Sequence, residues 1–122
     1  MITIRFHVPA PPLVWDTAFS PPHQSVEEWK QGKGFEVSSA AGARVGISSV
    51  EITGEAVVIT CAADPGPGAL VGYALFAERA RMTAPYGGTT HWGQLRDSDA
   101  FSGASTQKIQ PNYCVAFELT AP

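Results

Sequence analysis

Apolar positions in this chain recur with a period of two almost throughout, the spacing at which the side chains of a strand share one face. Ile2, Ile4, Phe6 and Val8 alternate with Thr3, Arg5 and His7, which predicts an opening strand with one buried face. Pro9-Ala10-Pro11-Pro12 ends it, because proline has no ladder donor and fixes its own φ. Leu13 to Thr17 reads as a short extended piece. Between Phe19 and Gly34 the alternation lapses. There Ser25-Val26-Glu27-Glu28 has the capping-box spacing with Val26 and Trp29 on one helical face, predicting one or two helical turns closed by Gly32 and Gly34.

Strands resume at Phe35-Glu36-Val37, and a polar turn from Ser38 to Gly42 leads into Val45 to Ile52. Val45 and Ile47 are odd while Val50 and Ile52 are even, so a bulge or turn is expected at Ser48-Ser49. Gly54-Glu55 fits a two-residue hairpin with glycine at its first central position. Asp64-Pro65-Gly66-Pro67-Gly68 is a loop, and Leu70 to Ala77, apolar on both faces, reads as a central strand. From Glu78 to Pro111 the chain is mostly long loop, with turns at Tyr86-Gly87-Gly88 and Phe101-Ser102-Gly103 and a short extended Trp92 to Leu95. Tyr113 to Leu119 closes the domain as a strand. This pattern predicts an all-β fold: an antiparallel β-sandwich, jelly-roll or immunoglobulin-like, with one short helical turn and long loops. A small barrel is the alternative.

The length of 122 residues suits one domain spanning 1–122, and the 44% hydrophobic content argues against disorder. A net charge of −3 offers nothing to neutralise a phosphate backbone, so nucleic acid is not an expected partner. The longest apolar runs, such as Ala69 to Ala77, fall far short of the ~20 residues a membrane helix needs, and no membrane partner is expected. The opening Met1-Ile2-Thr3-Ile4-Arg5 lacks the pattern of a signal peptide. Of the two cysteines, parity puts Cys61 on the buried face of its strand and Cys114 on the opposite face of its own, so no bridge between them is expected and both are read as small buried hydrophobes.

No Gly-x-Ser-x-Gly elbow is present, and His7, His23 and His91 lie apart, so the chain is expected not to be an enzyme. Asp97 and Asp99 offer two carboxylates at i and i+2, a spacing that suits a structural calcium. No further oxygen ligands follow, since Ala100 and Phe101 come next, so the favoured reading is that the same two side chains cap loop amides and pair with Arg96. No other cofactor is implied. Trp29, Tyr86, His91 and Trp92 fall in irregular stretches, and rings on loops are costly in water unless they pack or bind. Trp92, Tyr86 and Trp29 beside Gln94, Arg96, Asp97 and Asp99 would suit a sugar, whose C–H face stacks on rings while its hydroxyls bond planar polar groups. The plainer alternative is that these rings are hydrophobic pins for long loops.

Gly34-Phe35-Glu36-Val37, then Val50-Glu51-Ile52-Thr53-Gly54, Val57-Val58-Ile59 and Leu70-Val71-Gly72-Tyr73-Ala74, followed by Gly93-Gln94-Leu95-Arg96-Asp97, carry a family resemblance. Over residues 34–99 the chain resembles the accessory C-terminal β-sandwich of sialate O-acetylesterase-like, SGNH-type carbohydrate esterases and related polysaccharide-active proteins. It departs from them with Gln94 where Asn is usual and with an added strand in Phe101 to Pro122. The esterase's catalytic motifs are missing, so the resemblance implies a non-catalytic accessory module. It also implies a polysaccharide or oligosaccharide and a parent catalytic domain as partners. As part of such a larger protein the module would be extracellular or periplasmic. The alternative is a structural or interaction β-sandwich of an extracellular or phage-tail assembly.

Overall fold

The computed structural model describes residues 1–18, 30–75, 93–105, 109 and 111–122. Among them the named elements are strands: β1 Ile2–Arg5, β2 Val14–Trp15, β3 Phe35–Ser38, β4 Arg44–Val45, β5 Ile47–Thr53, β6 Ala56–Cys61, β7 Leu70–Tyr73, β8 Leu95–Arg96 and β9 Phe117–Thr120. They form antiparallel sheets ordered β1-β6-β5, β4-β3-β7-β9 and β2-β8, so the all-β expectation holds. The helical turns expected around Ser25 to Trp29 lie outside the described residues.

Local chemistry explains most joints between strands. Thr53 pairs with Ala56 across Gly54-Glu55, and Gly54 takes a φ of 62°, which a residue with a Cβ resists. The pairing of β5 with β6 slips between Ile47 and Ser49, where the apolar parity changes, and leaves Ser48 as the extra residue of a bulge. One joint differs from expectation. The single strand read over Val45 to Ile52 is two strands, since β4 pairs with β3 while β5 pairs with β6, and the chain changes sheets at Gly46. Apolar residues at both ends hide that switch, because each end faces the same core.

β7 lies between β3 and β9 and is covered as its two-sided apolar pattern predicts. It stops at Tyr73, because Ala74 adopts a left-handed φ of 60°. One apolar cluster collects Ile4, Val50, Val57 and Ile59 from the three-stranded sheet, Phe35, Val37, Val71 and Tyr73 from the four-stranded sheet, and Leu13 and Leu95 beside them. The rings of Phe35 and Tyr73 meet at 4.7 Å between centroids, and Phe117 stands 5.9 Å from Tyr73 and 6.0 Å from Phe6. Burying each large side chain of this kind stabilises the fold by about 1.5–3 kcal/mol.

Candidate binding groove

Three segments far apart in sequence meet at one end of the core: the proline turn after β1, the stretch around β8, and residues 111–115. Their backbones are stitched directly. Ser98 N–H donates to Ala10 O at 2.8 Å, Asp97 N–H to Asn112 O at 3.0 Å, and Cys114 N–H to Leu95 O at 2.9 Å. The Ser98 hydroxyl adds a bond to Pro12 O at 2.6 Å. β8 is thereby fixed between β2 and an isolated bridge to Tyr113.

Asp97 is the anchor of this junction and is 2% exposed. Its Oδ1 accepts the amides of Asn112 at 2.9 Å and Asp99 at 3.2 Å, and its Oδ2 accepts Asn112 Nδ2 at 2.7 Å. Burial disfavours its charge, but hydrogen bonds from Asn112, Asp99 and Ala10 outweigh that and hold the carboxyl below the usual aspartate range. Asp99 caps the next turn, accepting Phe101 N–H at 2.9 Å. Both aspartates thus cap loop amides. Among the described residues no group of three or more His, Cys, Asp or Glu is placed to hold a metal ion.

Arg96 does not pair with its neighbouring aspartates. Its Nε lies 3.4 Å from Asp16 Oδ2, and its Nη1 donates to the Asp97 carbonyl at 2.8 Å. Asp16, 6% exposed, also receives the Tyr113 hydroxyl and, at 2.8 Å, the Ala18 amide. Burial first, and then the bond to the Asp16 carboxylate, push the Tyr113 phenol up to about 12. Gln94 Nε2 donates to the Asp16 carbonyl at 2.7 Å. Asp16 was invisible as a partner because its ladder neighbour and its phenol lie some eighty to a hundred positions away, and no spacing rule spans that distance.

Behind the junction, the buried Tyr73 hydroxyl accepts Leu95 N–H at 3.0 Å, and burial raises its phenol above the ordinary range. A side chain at Gly93 would overlap that hydroxyl, so glycine lets the chain pass close over the ring. Cys114 departs only from the face that parity assigns it, since packing as a small hydrophobe is what its residue type predicts. Its thiol packs against the core, and burial pushes it up to about 12. Parity failed because β9 begins only at Phe117, and residues 113–116 do not alternate as a strand does. Both cysteines are free.

The junction opens on a groove of about 290 Å³, near the lower end of the range for ligand sites. Phe6, Val8 and Leu13 give its lining apolar surface, and Arg96, Asn112 and Tyr113 add planar polar groups to the same lining. Of the sequence-nominated residues, Arg96 and Asp97 line it, whereas Gln94 and Asp99 hold its frame. Trp92, Tyr86 and Trp29 lie outside the described residues. The sequence reading missed the contribution of Asn112 and Tyr113, although Pro111 just before them marks a break ahead of the last strand. No family model, curated protein or solved structure matches the chain.

Proposed function

We propose that the protein is a non-catalytic β-sandwich module that binds a polysaccharide or oligosaccharide in this groove, as an accessory to a carbohydrate-active catalytic domain. The sandwich part of the reading is supported by the single apolar cluster drawn from both larger sheets. The observation that carries the binding part is the groove's make-up, a lining that combines apolar side chains with planar polar groups held by one hydrogen-bonded junction. A sugar ring presents a matching pair of surfaces. Its C–H face would lie on the apolar side chains and the Tyr113 ring, and its hydroxyls would bond the Asn112 amide and the Arg96 guanidinium. Trp92, Tyr86 and Trp29 are proposed as further stacking rings. Asp97, Gln94 and Asp99 act as positioning residues, since their polar atoms already bond to the frame.

Calorimetric titration against a panel of neutral and acidic polysaccharides tests the proposal. For a neutral glycan the expected result is weak binding that barely responds to salt, because the sugar contributes stacking and uncharged hydroxyls to the contacts. Trp92→Ala and Asn112→Ala should weaken it while the far-ultraviolet spectrum stays that of the parent. A folded domain that takes up no glycan contradicts the reading. The alternative, a packing module within an extracellular or phage-tail assembly, draws on one observation: Phe101 and Val115 are 66% and 76% exposed.

A further inference from the structure

We infer that Asp16 determines which glycan the groove accepts: by engaging the Arg96 guanidinium and the Tyr113 hydroxyl proton, it selects a neutral sugar over an acidic one. This selectivity rests on the glycan reading proposed above and adds to it the class of sugar. Asp16 stands behind the groove, its side chain 8% exposed, and acts through two residues that line it, Arg96 and Tyr113.

Hydrogen-bond polarity supplies one half of the selection. The Tyr113 hydroxyl donates its single proton to Asp16 Oδ2, and with the phenol pushed up to about 12 that proton stays on the oxygen. Toward a ligand the Tyr113 oxygen is therefore an acceptor. One Asn112 Nδ2 proton is given to Asp97 Oδ2 and an Arg96 Nη1 proton to the Asp97 carbonyl, so the donors of the lining are partly committed to its frame. A sugar hydroxyl can donate to an acceptor, whereas an ionised carboxylate can only accept. A uronate at Tyr113 would set acceptor against acceptor.

Charge works in the same direction. Arg96 Nε lies 3.4 Å from Asp16 Oδ2, and the two side chains are 18% and 8% exposed, so water screens the pair little. Asp97 is 2% exposed, and its hydrogen bonds favour the ionised carboxylate. One guanidinium thus stands against two buried carboxylates, and its charge is balanced before a ligand arrives. Asp99, whose amide bonds Asp97, brings a further carboxylate to the same turn. His7 also lines the groove but is exposed, where solvent screens its effect. An incoming carboxylate would gain little from Arg96 and would be repelled by the negative charge behind it.

Calorimetry of the intact chain with matched oligomers tests this selectivity. The probes are oligomers of glucose, galactose and mannose, each beside its uronic-acid counterpart, which carries a carboxylate at C6. In the parent the neutral member of a binding pair should have about tenfold or more the affinity of the acidic one. Lowering the salt should widen that gap, because repulsion grows as screening falls. Asp16→Asn keeps the shape and an oxygen to accept the Tyr113 hydroxyl but removes the charge. The acidic member should then gain about fivefold or more, whereas a purely structural role would weaken both members alike. If the variant fails to fold, the salt response of the parent still decides. An acidic member that binds the parent as tightly as the neutral one overturns the inference, as does a gap that narrows at low salt or a folded Asp16→Asn that preserves the ratio. If neither member of any pair binds, the glycan reading itself falls and the selectivity with it.

Discussion

The paired sheets and the junction around Asp97 are both buried, but they are held in different ways. In the sheets, Phe35, Val57, Ile59 and Tyr73 are fully buried and each touches a shared apolar cluster, so order is spread over many weak contacts. At the junction, order rests on a few polar atoms, chiefly the carboxylates of Asp16 and Asp97 and the donors around them. The first arrangement gives stability. The second gives position, because hydrogen bonds fix direction where apolar contacts do not. A groove that must hold planar groups in place is better built from the second kind of contact.

The largest effect should come from the sheets. Phe35→Ala should lower the unfolding free energy by about 3–5 kcal/mol in urea denaturation, as expected when a buried ring leaves a cavity. A loss below about 1 kcal/mol would mean that the shared cluster is not the source of stability. At the seam between the two regions, Gly93→Ala should cost about 1–3 kcal/mol, because the added methyl meets the Tyr73 hydroxyl and forces both chains to shift.

Asp97→Ala should cost about 1–3 kcal/mol by leaving buried donors unpaired. Its signature should be local. Hydrogen exchange should quicken at Asn112 and Asp99 while the amides of Val57 and Ile59 keep their protection; uniform quickening would erase the distinction between the regions. The pH dependence carries the same sign. Asp97 titrates below the unfolded value of about 3.9, so its contribution is complete above that value and fades as pH falls toward the folded pKa. Acid should therefore loosen the parent junction more than that of Asp97→Asn.

Tyr113→Phe should show the smallest effect, on the order of 1–2 kcal/mol for one bond to a buried carboxylate. The phenol's folded pKa of about 12 lies above the unfolded value of about 10, so this contribution is complete below pH ~10 and is lost as pH rises through the folded value. Spectrophotometric titration of tyrosinate should lose a transition near 12 in the variant. If no such transition disappears, the bond to Asp16 does not order this part of the groove.

The same contrast explains what could be read from the chain. β1, the Gly54-Glu55 hairpin, the bulge at Ser48 and the loop after Ala63 were legible because period, parity and turn chemistry are local. Asp97 and Asp99 as loop caps were legible too, since their acceptors lie beside the amides they bind. Arg96 was assigned to those near aspartates, whereas its partner is Asp16, which directly follows the strand paired with its own. Tyr113 and Asn112 join the groove only through tertiary bonds, which leave no mark in spacing. Cys114 was misplaced by extending strand alternation into residues that are not a strand.

Glycan binding in the groove is the central claim, and amide chemical-shift mapping tests it most directly. The labelled protein would be titrated with the tightest-binding oligosaccharide of the calorimetric panel. The account predicts shifts at Phe6, Val8, Arg96, Asn112 and Tyr113 and at the proposed stacking rings Trp92, Tyr86 and Trp29, with Thr3 and Glu51 on the three-stranded sheet unmoved. Saturating shifts centred on Thr3 and Glu51, or none in the groove, would contradict it.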